Sequence, residues 1–534
     1  MFWFGFVLVL LAMPVLIIIE DMLPTSEMVI AVYMHTLFGY TALAFVLAIW
    51  EIWQFLTRKP EPKVNHDKDP SLWTFYTSKG NKFHINPFRG VLVTGGAGSG
   101  KTESVAKQIM LNTASKGFSG LIYDFKFPTL GNTLESVLRQ KNDPLRHYYV
   151  NFVDMTRTYR VNPLNPKYLP NSSYAREYAT AIITNLMSES IQQKNFWVRS
   201  ATDLLTATIW YLRQNHPQHC TLPHVLAMIA SDDEKLVNTL MREAECANMV
   251  VSIANAMKRK ADGQTAGVVS TLQSATAQIN TPDIAYVLSG DDLSLDVNDP
   301  QNPITLTVGN YPTLVDTFAP AVSLIFTVAL KWMNQQGKHP SFVLLDEAPT
   351  LYIPKLDMVP ATARSNRVAV VYMAQDLSQM ADQYGNTKAD VITSNLATQF
   401  HGRTTNPRTA QHVSNLFGKD DVIYNTTSRG RHGSSTSESI QQRERVRAQD
   451  MTGLGAGEFK GLYVDDQGQS REVSTRFALL DTGDEGNGLP VVNPHAAEEV
   501  GRNFTRIREE VNAILNGGST TPADDDFNTL IFSE

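Results

Sequence analysis

The sequence predicts an α/β protein with a mainly parallel sheet, an inserted all-helical domain and an amino-terminal pair of membrane-spanning helices. Three observations predict this fold. Short apolar strands alternate with helical stretches, a long purely helical stretch interrupts them, and two long apolar runs precede them all. Strand, helix and strand in succession are typical of a parallel sheet. With 534 residues the chain is long enough for two or three folded units.

The two apolar runs at the amino terminus cover residues 2–19 and 28–50. The first would form a helix of roughly 27 Å, close to the hydrocarbon thickness of about 30 Å. A cleaved signal peptide is the alternative, but the run lacks a basic segment before it and a small-residue cleavage site after it. Arg58, Lys59 and Lys63 follow the second run, and no Lys or Arg lies between the runs. The positive-inside rule therefore places the large carboxy-terminal part in the cytoplasm.

Five apolar segments have the length and composition of buried strands. They lie at 90–94, 120–124, 304–308, 341–345 and 368–373. Between the second and the third segment, residues 172–280 show helical periodicity. One predicted helix face there consists of Trp197, Ala201, Leu204, Leu205, Thr208 and Leu212.

Composition limits the kinds of partner and site. The formal net charge of −7 means that the molecule as a whole does not attract polyanions, so any nucleic-acid contact requires a local basic strip. Cys220 and Cys246 fit no zinc pattern and suit a reducing compartment. A Ser-, Thr- and Gly-rich segment at 426–442 is predicted to be a mobile loop. The basic residues around it could follow a phosphate backbone, or the loop could simply be solvated: Arg429, Arg431, Arg443, Arg445 and Arg447.

A glycine-rich loop follows the first predicted strand. Gly95-Gly-Ala-Gly-Ser-Gly-Lys101-Thr102 matches the full G-x4-G-K-[ST] pattern between a strand and a helix. The alternative is a chance glycine loop, which the context on both sides argues against. Glycines let backbone N–H groups surround phosphate oxygens, Lys101 would bridge the β- and γ-phosphates, and Thr102 would ligate Mg²⁺. The predicted nucleotide-binding residues are Gly95, Gly96, Ala97, Gly98, Ser99, Gly100, Lys101 and Thr102.

A pair of carboxylates follows the strand predicted at 341–345. Asp346 would lie beside the glycine loop as a Mg²⁺ ligand, and Glu347 would polarise the attacking water as general base. An acidic pair at a strand end is common and means little alone. After a complete phosphate-binding loop and in a parallel sheet it indicates a hydrolytic site.

Three further residues are candidates for catalysis. Gln375 ends the strand at 368–373 and could position water or sense the γ-phosphate, although it could also only cap the next helix. Arg364 and Arg367 precede that strand and could reach the nucleotide of a neighbouring subunit to stabilise transition-state charge. The alternative for both arginines is a solvated surface position.

With these motifs in place, the chain resembles the type IV secretion coupling proteins of the TraG/TraD type, relatives of the FtsK/HerA translocases. The likeness spans roughly residues 80–480. It is carried by Tyr159-Arg-Val-Asn-Pro-Leu164, Pro282-Asp-Ile-Ala-Tyr-Val-Leu-Ser-Gly290, Met373-Ala-Gln-Asp-Leu-Ser-Gln-Met380 with Tyr384-Gly385, and the stretch 445–462. One departure is that Phe127-Pro128 follows the Asp124 to Lys126 strand end, where the family usually has Gly-Glu.

The resemblance implies a RecA-like P-loop ATPase that uses ATP and Mg²⁺ and forms a homohexamer around a channel, with nucleotide between subunits. It favours Arg364 as the arginine finger, because this residue lies eleven positions before Gln375. It further implies a multi-pass protein of the bacterial inner membrane with the ATPase part in the cytoplasm. The implied partners are single-stranded DNA bound without sequence preference, a relaxase and the components of a type IV secretion channel.

The predicted boundaries follow from these patterns. They are a membrane hairpin at 1–56, a linker at 57–89, a nucleotide-binding domain at 90–171 and 291–484, an all-helical domain at 172–290 and a flexible acidic tail at 485–534. Two alternatives to an ATP-driven DNA motor stay open. One is a secretion ATPase that moves or assembles only protein, and the other is a membrane receptor that binds nucleotide as a structural ligand.

Overall fold

The structure is a computed structural model that describes residues 39–47, 49–50, 53, 69–141, 145–187, 191, 196–259, 262–430, 433–483, 486 and 488–517. The chain divides into two compact units, Met1–Asn65 and His66–Glu534. In the first unit, the described residues of the second predicted span are helical, and apolar side chains such as Phe45 and Trp50 are exposed. The remainder of both predicted spans and the basic residues after them lie outside the described residues.

A nine-stranded sheet organises the second unit, together with two separate hairpins. The strands are β1 (Trp73–Tyr76), β2 (Lys82–Ile85), β3 (Val91–Thr94), β4 (Ser119–Asp124), β5 (Arg146–Val150), β6 (Ile304–Gly309), β7 (Ser341–Leu345), β8 (Val368–Ala374), β9 (Thr398–His401), β10 (Lys419–Gly430), β11 (Gly433–Glu444), β12 (Glu458–Val464) and β13 (Ser470–Arg476).

The sheet has the order β13-β12-β9-β3-β8-β7-β4-β6-β5. All pairs from β9 to β5 are parallel, and β12 and β13 join antiparallel at one edge. The predicted mainly parallel α/β sheet is confirmed. All five predicted strands are present, and their bounds agree with the prediction to within one residue.

Helices pack on both faces of this sheet. They are α1 (Lys107–Ser115), α2 (Thr129–Lys141), α3 (Ser172–Leu186), α4 (Phe196–Asn215), α5 (Leu222–Ile229), α6 (Asp233–Leu240), α7 (Ala244–Lys258), α8 (Asp262–Ala277), α9 (Pro282–Leu288), α10 (Val315–Met333), α11 (Val359–Ala363), α12 (Leu377–Tyr384), α13 (Asn386–Asn395), α14 (Pro407–Phe417) and α15 (Ala496–Leu515).

Burial on both faces explains why the central strands are continuously apolar rather than alternating. In β7, Phe342 and Leu344 face one core, which includes residues of α1 and α2. Val343 and Leu345 face the other core, which includes α3, α4 and α10. Alternate residues of one strand thus belong to two different apolar cores.

The stretch between β5 and β6 is helical, as predicted, with no strand among its described residues from 172 to 288. Side-chain caps begin several of its helices: Asn171 accepts from the N–H of Ser173, and Thr221 from that of His224. The predicted face of α4 is buried except for Trp197, which is 40% exposed while its ring covers Gly267. These helices share one apolar core with the sheet, and their status as a separate domain stays a prediction.

Three segments differ from the prediction. Within the predicted linker at 57–89, β1 and β2 form a hairpin, and Trp73 and Phe75 are fully buried in the core beneath the sheet. Within the predicted mobile loop at 426–442, β10 and β11 instead form a hairpin with a 12-residue register. Within the predicted flexible tail at 485–534, α15 buries Ile507 and Val511 against α5 and α9. In the first and third segments, tertiary packing outweighs a local composition rich in polar residues. The β10–β11 hairpin is instead held by its own antiparallel pairing, and side chains such as Ile423 and Ile440 are exposed.

Among the residues that the structure describes, one helix is long and apolar enough to cross a membrane, namely α10. Its apolar window is 67% buried inside the protein, and residues such as Ile325 and Phe326 belong to the main core. It therefore packs as a core helix of the sheet.

A close approach between two neighbouring strands gives a stability prediction. Gly120 in β4 lies directly opposite Phe342 in β7, and a Cβ atom at Gly120 would lie 2.0 Å from Phe342 Cε1. We expect Gly120→Ala to lower the free energy of unfolding by about 1–3 kcal/mol, because the ring has no free space to move into. Urea denaturation of the purified protein measures this change. Gly501→Ala is the control, since its Cβ would meet nothing within 4 Å. Equal midpoints for the two variants would contradict the packing described here.

Candidate nucleotide-binding site

The carboxyl ends of four parallel strands meet at one edge of the sheet. Thr94 lies opposite Ala374 in the register, and Leu345 lies opposite both Tyr123 and Tyr372. The residues that follow these positions are therefore neighbours: the glycine loop after β3, Asp346 after β7 and Gln375 after β8, with Asp124 ending β4. Ligand sites in parallel α/β sheets form at this edge.

The glycine loop connects β3 to a π-helical turn, Lys101–Ala106, which continues as α1. Gly100 has φ 92°, and a Cβ atom there would lie 2.7 Å from Gly457 N, so a side chain does not fit. The N–H groups of Ala97 and Gly98 donate to no atom of the described residues. Free N–H groups at the start of a helix suit an anionic ligand, and the residues present thus fit a phosphate group.

Lys101 reaches back across this loop. Its Nζ donates to Gly95 O at 2.6 Å and lies 3.4 Å from Glu347 Oε1. Lys101, Asp346 and Glu347 are all buried. The structure thus brings together the lysine and both carboxylates that the sequence selected, and Thr102 lies half-buried on the first helical turn.

Glu347 has an unusual backbone conformation. Its φ of 44° and ψ of 48° place it in the left-handed region, which costs a residue with a side chain about 1–3 kcal/mol. This turn directs the Glu347 side chain towards Lys101 immediately after the buried strand β7. Such strain is commonly found at functional sites.

Burial dominates the electrostatics of Asp346. It raises the pKa of this carboxyl to about 6, with a further rise from the Glu347 carboxylate, while the ammonium groups of Lys101 and Lys126 act in the opposite direction. With Asp124 nearby, three carboxylates face two ammonium groups. The excess of negative charge favours a cation, and a carboxylate with a hydroxyl such as Thr102 provides the oxygen ligands that Mg²⁺ prefers.

Asp124 is fully buried at the end of β4. Its Oδ2 accepts hydrogen bonds from the N–H groups of Leu130 at 2.8 Å and Gly131 at 3.0 Å, which caps α2. Its Oδ1 has no hydrogen-bond partner among the described residues. Burial raises the pKa of Asp124 to about 7, and the Asp346 carboxylate adds to the rise although the two N–H donors oppose it. Asp124 is therefore close to half-protonated at neutral pH.

The three remaining catalytic candidates lie at the two ends of the parallel strands. Gln375 follows the carboxyl end of β8, and its carbonyl oxygen accepts the N–H of Gly95 at 3.1 Å, so it is next to the glycine loop. Arg364 is exposed at the end of α11, before the amino end of β8. Arg367, also exposed, follows with φ 55° and lies over the Phe88 ring. Neither arginine is near the Lys101 of its own chain.

Arg403 is a site residue that sequence reasoning missed. It follows β9, which pairs with β3, and its carbonyl oxygen accepts the N–H of Gly96 at 2.8 Å. Its guanidinium lies 3.4 Å from Ala97 O. The available signal was weak, since Gly402-Arg403 follows a short strand of ordinary composition and only the strand order places it beside the loop.

The predicted basic strip is partly paired with acidic residues. Arg445 donates to both carboxylate oxygens of Glu472, at 2.6 and 2.8 Å, and Arg447 donates to Asp450 at 3.0 Å. The side chain of Arg429 and all of Arg431 lie outside the described residues. The local excess of positive charge around Arg443 is thus smaller than the sequence suggested, and DNA contact through it stays a prediction.

The family model described as type IV secretory system conjugative DNA transfer matches residues 54–449 of the 534. The chain belongs to this family. The resemblance seen in the sequence is confirmed. A comparison with curated proteins finds no match to this sequence.

Solved structures show the same fold at low sequence identity. The unbound conjugative coupling protein TrwBdeltaN70 has a TM-score of 0.59 and 14% identity over 79% of this chain and 91% of that one. TrwB with the GTP analogue GDPNP has a TM-score of 0.55 and 15% identity over 75% and 90%. TrwB with ADP and Mg²⁺ has a TM-score of 0.54 and 16% identity over 74% and 87%.

The buried carboxyl of Asp124 makes stability depend on pH. Its pKa of about 7 exceeds the usual value of 3.8, so the folded state keeps a proton that the unfolded state loses as pH rises from about 4 to 7. The contribution of the Asp124 carboxyl to the free energy of unfolding is therefore fully present below about pH 4, and it is lost as the pH rises to about 7. Asp124→Asn keeps the acceptor for α2 but cannot ionise.

We expect the loss of unfolding free energy between pH 5 and pH 8 to be smaller in Asp124→Asn than in the wild type, by on the order of a few kcal/mol. Urea denaturation at both pH values measures it. Asp382→Asn, at an exposed position, is the matched control. If the unfolding free energies of Asp124→Asn and the wild type changed equally between the two pH values, Asp124 would not hold a proton in the folded state.

Proposed function

We propose that this chain is a membrane-anchored ATPase that moves DNA, attached to a relaxase, towards a secretion channel in the membrane. The observation that carries the proposal is the meeting of Lys101, Asp346 and Glu347 at the carboxyl edge of the sheet, in a chain of the conjugative DNA transfer family. A receptor that bound nucleotide only as a structural ligand would need Lys101 but not a strained acidic residue beside it.

Four residues of the site have roles in ATP hydrolysis under this proposal. Lys101 would contact the β- and γ-phosphates of a bound nucleotide, while Thr102 and Asp346 would hold its Mg²⁺. A bound Mg²⁺ supplies neutralisation of the phosphate charge. Glu347 accepts a proton from the attacking water. Its Oε1 lies 3.4 Å from Lys101 Nζ, so a Lys101 side chain that moves to the phosphates leaves this carboxylate oxygen free to contact the water.

Gln375 and Arg403 flank the loop from β8 and β9. Gln375 positions water or senses the γ-phosphate, and the exposed Arg403 guanidinium contacts the terminal phosphates. TrwB, which shares this fold, binds ADP with Mg²⁺, and this supports a nucleotide with Mg²⁺ as the ligand here.

Assembly completes the site. Arg364 lies near the amino ends of the parallel strands, whereas Lys101 lies at their carboxyl ends. Within one chain, Arg364 therefore cannot reach the phosphates. In a ring of subunits, with six as the expected number, the Arg364 of one chain faces the nucleotide of the next. The amino-terminal spans hold the subunits in the inner membrane with the ATPase part in the cytoplasm.

Stimulation by DNA tests the function. We expect the full-length protein in detergent to hydrolyse ATP several-fold faster with single-stranded DNA, and we expect this gain to fade with salt because phosphate contacts release counterions. Lys101→Thr and Glu347→Gln serve as background controls, with the latter about 10²–10⁴-fold slower than the wild type. Turnover that DNA does not change would favour a protein-only secretion ATPase. If the wild type hydrolysed ATP no faster than Lys101→Thr, the alternative of a membrane receptor that binds nucleotide as a structural ligand would be favoured.

Mixing variants tests the role of Arg364. Neither Arg364→Ala nor Lys101→Thr alone should hydrolyse ATP. Mixed oligomers should recover part of the wild-type rate, because some interfaces pair an intact Lys101 with an intact Arg364. The ATPase rate is measured against the mixing ratio, with Lys79→Thr replacing Lys101→Thr as an exposed control that stays active. No recovery in confirmed mixed oligomers would show that Arg364 does not act across the interface.

A further inference from the structure

Two histidines and a glutamate from three separate elements meet in the helical region, away from the glycine loop. His219 ends the 3-10 turn Pro217–His219, His224 lies in α5, and Glu510 lies in α15. His224 Nε2 lies 2.8 Å from Glu510 Oε2, and His219 Nδ1 lies 3.6 Å from the same oxygen. One carboxylate oxygen is thus shared by two imidazole rings whose centroids are 5.0 Å apart.

The three potential ligand atoms all lie within 4.8 Å of one another. Ligands of a tetrahedral Zn²⁺ at about 2.1 Å from the ion lie about 3.4 Å from each other. The distances from Glu510 Oε2 to His224 Nε2, 2.8 Å, and to His219 Nδ1, 3.6 Å, are respectively shorter and longer than that value. Small side-chain rotations therefore suffice to place all three atoms around one ion.

Neighbouring groups orient two of these ligands. Thr221 Oγ1 lies 2.7 Å from His224 Nδ1, so Nδ1 can carry its proton towards the hydroxyl and leave Nε2 to bind a cation. Arg506 Nη1 donates to Glu510 Oε1 at 2.9 Å and leaves Oε2 turned towards the two rings. Metal-binding histidines and carboxylates commonly have such supporting hydrogen bonds.

Solvent can reach the cluster from one side. The side chain of His224 is 3% exposed, but those of His219 and Glu510 are 12% and 20% exposed. An ion can thus enter, and a water molecule can take a fourth position. The ligand set is two imidazoles and a carboxylate, which suits Zn²⁺ and similar transition-metal ions and is poor for Mg²⁺ or Ca²⁺, since these prefer oxygen ligands alone.

We propose that His219, His224 and Glu510 bind a divalent transition-metal ion, with Zn²⁺ as the representative ion. The ion joins α15 to the 217–224 segment, in addition to the apolar contacts of α15 with α5 and α9. It is a structural clasp for the last described helix and takes no part in ATP hydrolysis. This inference is independent of the proposed motor function.

Binding of Co²⁺ and Zn²⁺ to the full-length, chelator-treated protein tests the clasp. We expect one equivalent of Co²⁺ per chain to produce the visible absorption of a four- or five-coordinate site, and one equivalent of Zn²⁺ to abolish it, with millimolar Mg²⁺ present throughout. Glu510→Gln and His219→Gln should each weaken Zn²⁺ binding at least about tenfold. Glu509→Gln, at the exposed neighbouring position, should bind like the wild type.

A second measurement separates loss of the site from loss of folding. Zn²⁺ should slow proteolysis within α15 in the wild type and in Glu509→Gln, and should have no such effect in His219→Gln, whose substituted side chain is near the surface. His219→Gln with a normal circular dichroism spectrum and unchanged Zn²⁺ affinity would overturn the proposal. So would a wild type in which Co²⁺ stays six-coordinate, as in water.

Discussion

Parallel pairing of β3, β8, β7 and β4 is the constraint on which the rest of the site depends. Because these strands run in one direction, everything that follows them emerges at one edge of the sheet. Gly120 leaves room for the Phe342 ring between β4 and β7, where a side chain would not fit. The apolar cores on both faces hold the strands in register, and the polar side chains of the site need no support from one another to be brought together.

The charges at this edge are balanced only in part. Lys101 is paired with Glu347, while burial keeps the carboxyls of Asp346 and Asp124 at raised pKa values of about 6 and 7. Like carboxylates in a buried site disfavour one another, and a ligand that carries a divalent cation relieves this cost. The strained backbone of Glu347 belongs to the same arrangement, since this residue both adopts the left-handed conformation and pairs with Lys101.

The sequence predicted the sheet and the centre of the site because both have strong local signals. Continuous apolar strands, a complete phosphate-binding loop and an Asp-Glu pair after a strand are each visible within ten residues. Arg403 was missed because its place depends on β9 lying next to β3, which no local pattern records. The hairpin β1–β2 and helix α15 were predicted as linker and tail because both segments are rich in polar residues. Their apolar side chains, such as Trp73 and Val511, are nevertheless buried against distant parts of the chain. The pairing of Arg445 with Glu472 likewise joins residues far apart in sequence.

Equilibrium binding of ATP to the full-length protein, with and without Mg²⁺, tests whether Lys101 and Asp346 form one nucleotide–Mg²⁺ site at the carboxyl ends of the strands. Such a site predicts saturable binding that Mg²⁺ strengthens. It also predicts a loss of affinity of about 10- to 100-fold in Lys101→Met, as for one charge-assisted hydrogen bond, and no strengthening by Mg²⁺ in Asp346→Asn. Lys79→Met, at an exposed position, should bind like the wild type. Equal ATP affinities for the wild type and Lys101→Met, or an unchanged effect of Mg²⁺ in Asp346→Asn, would contradict such a site.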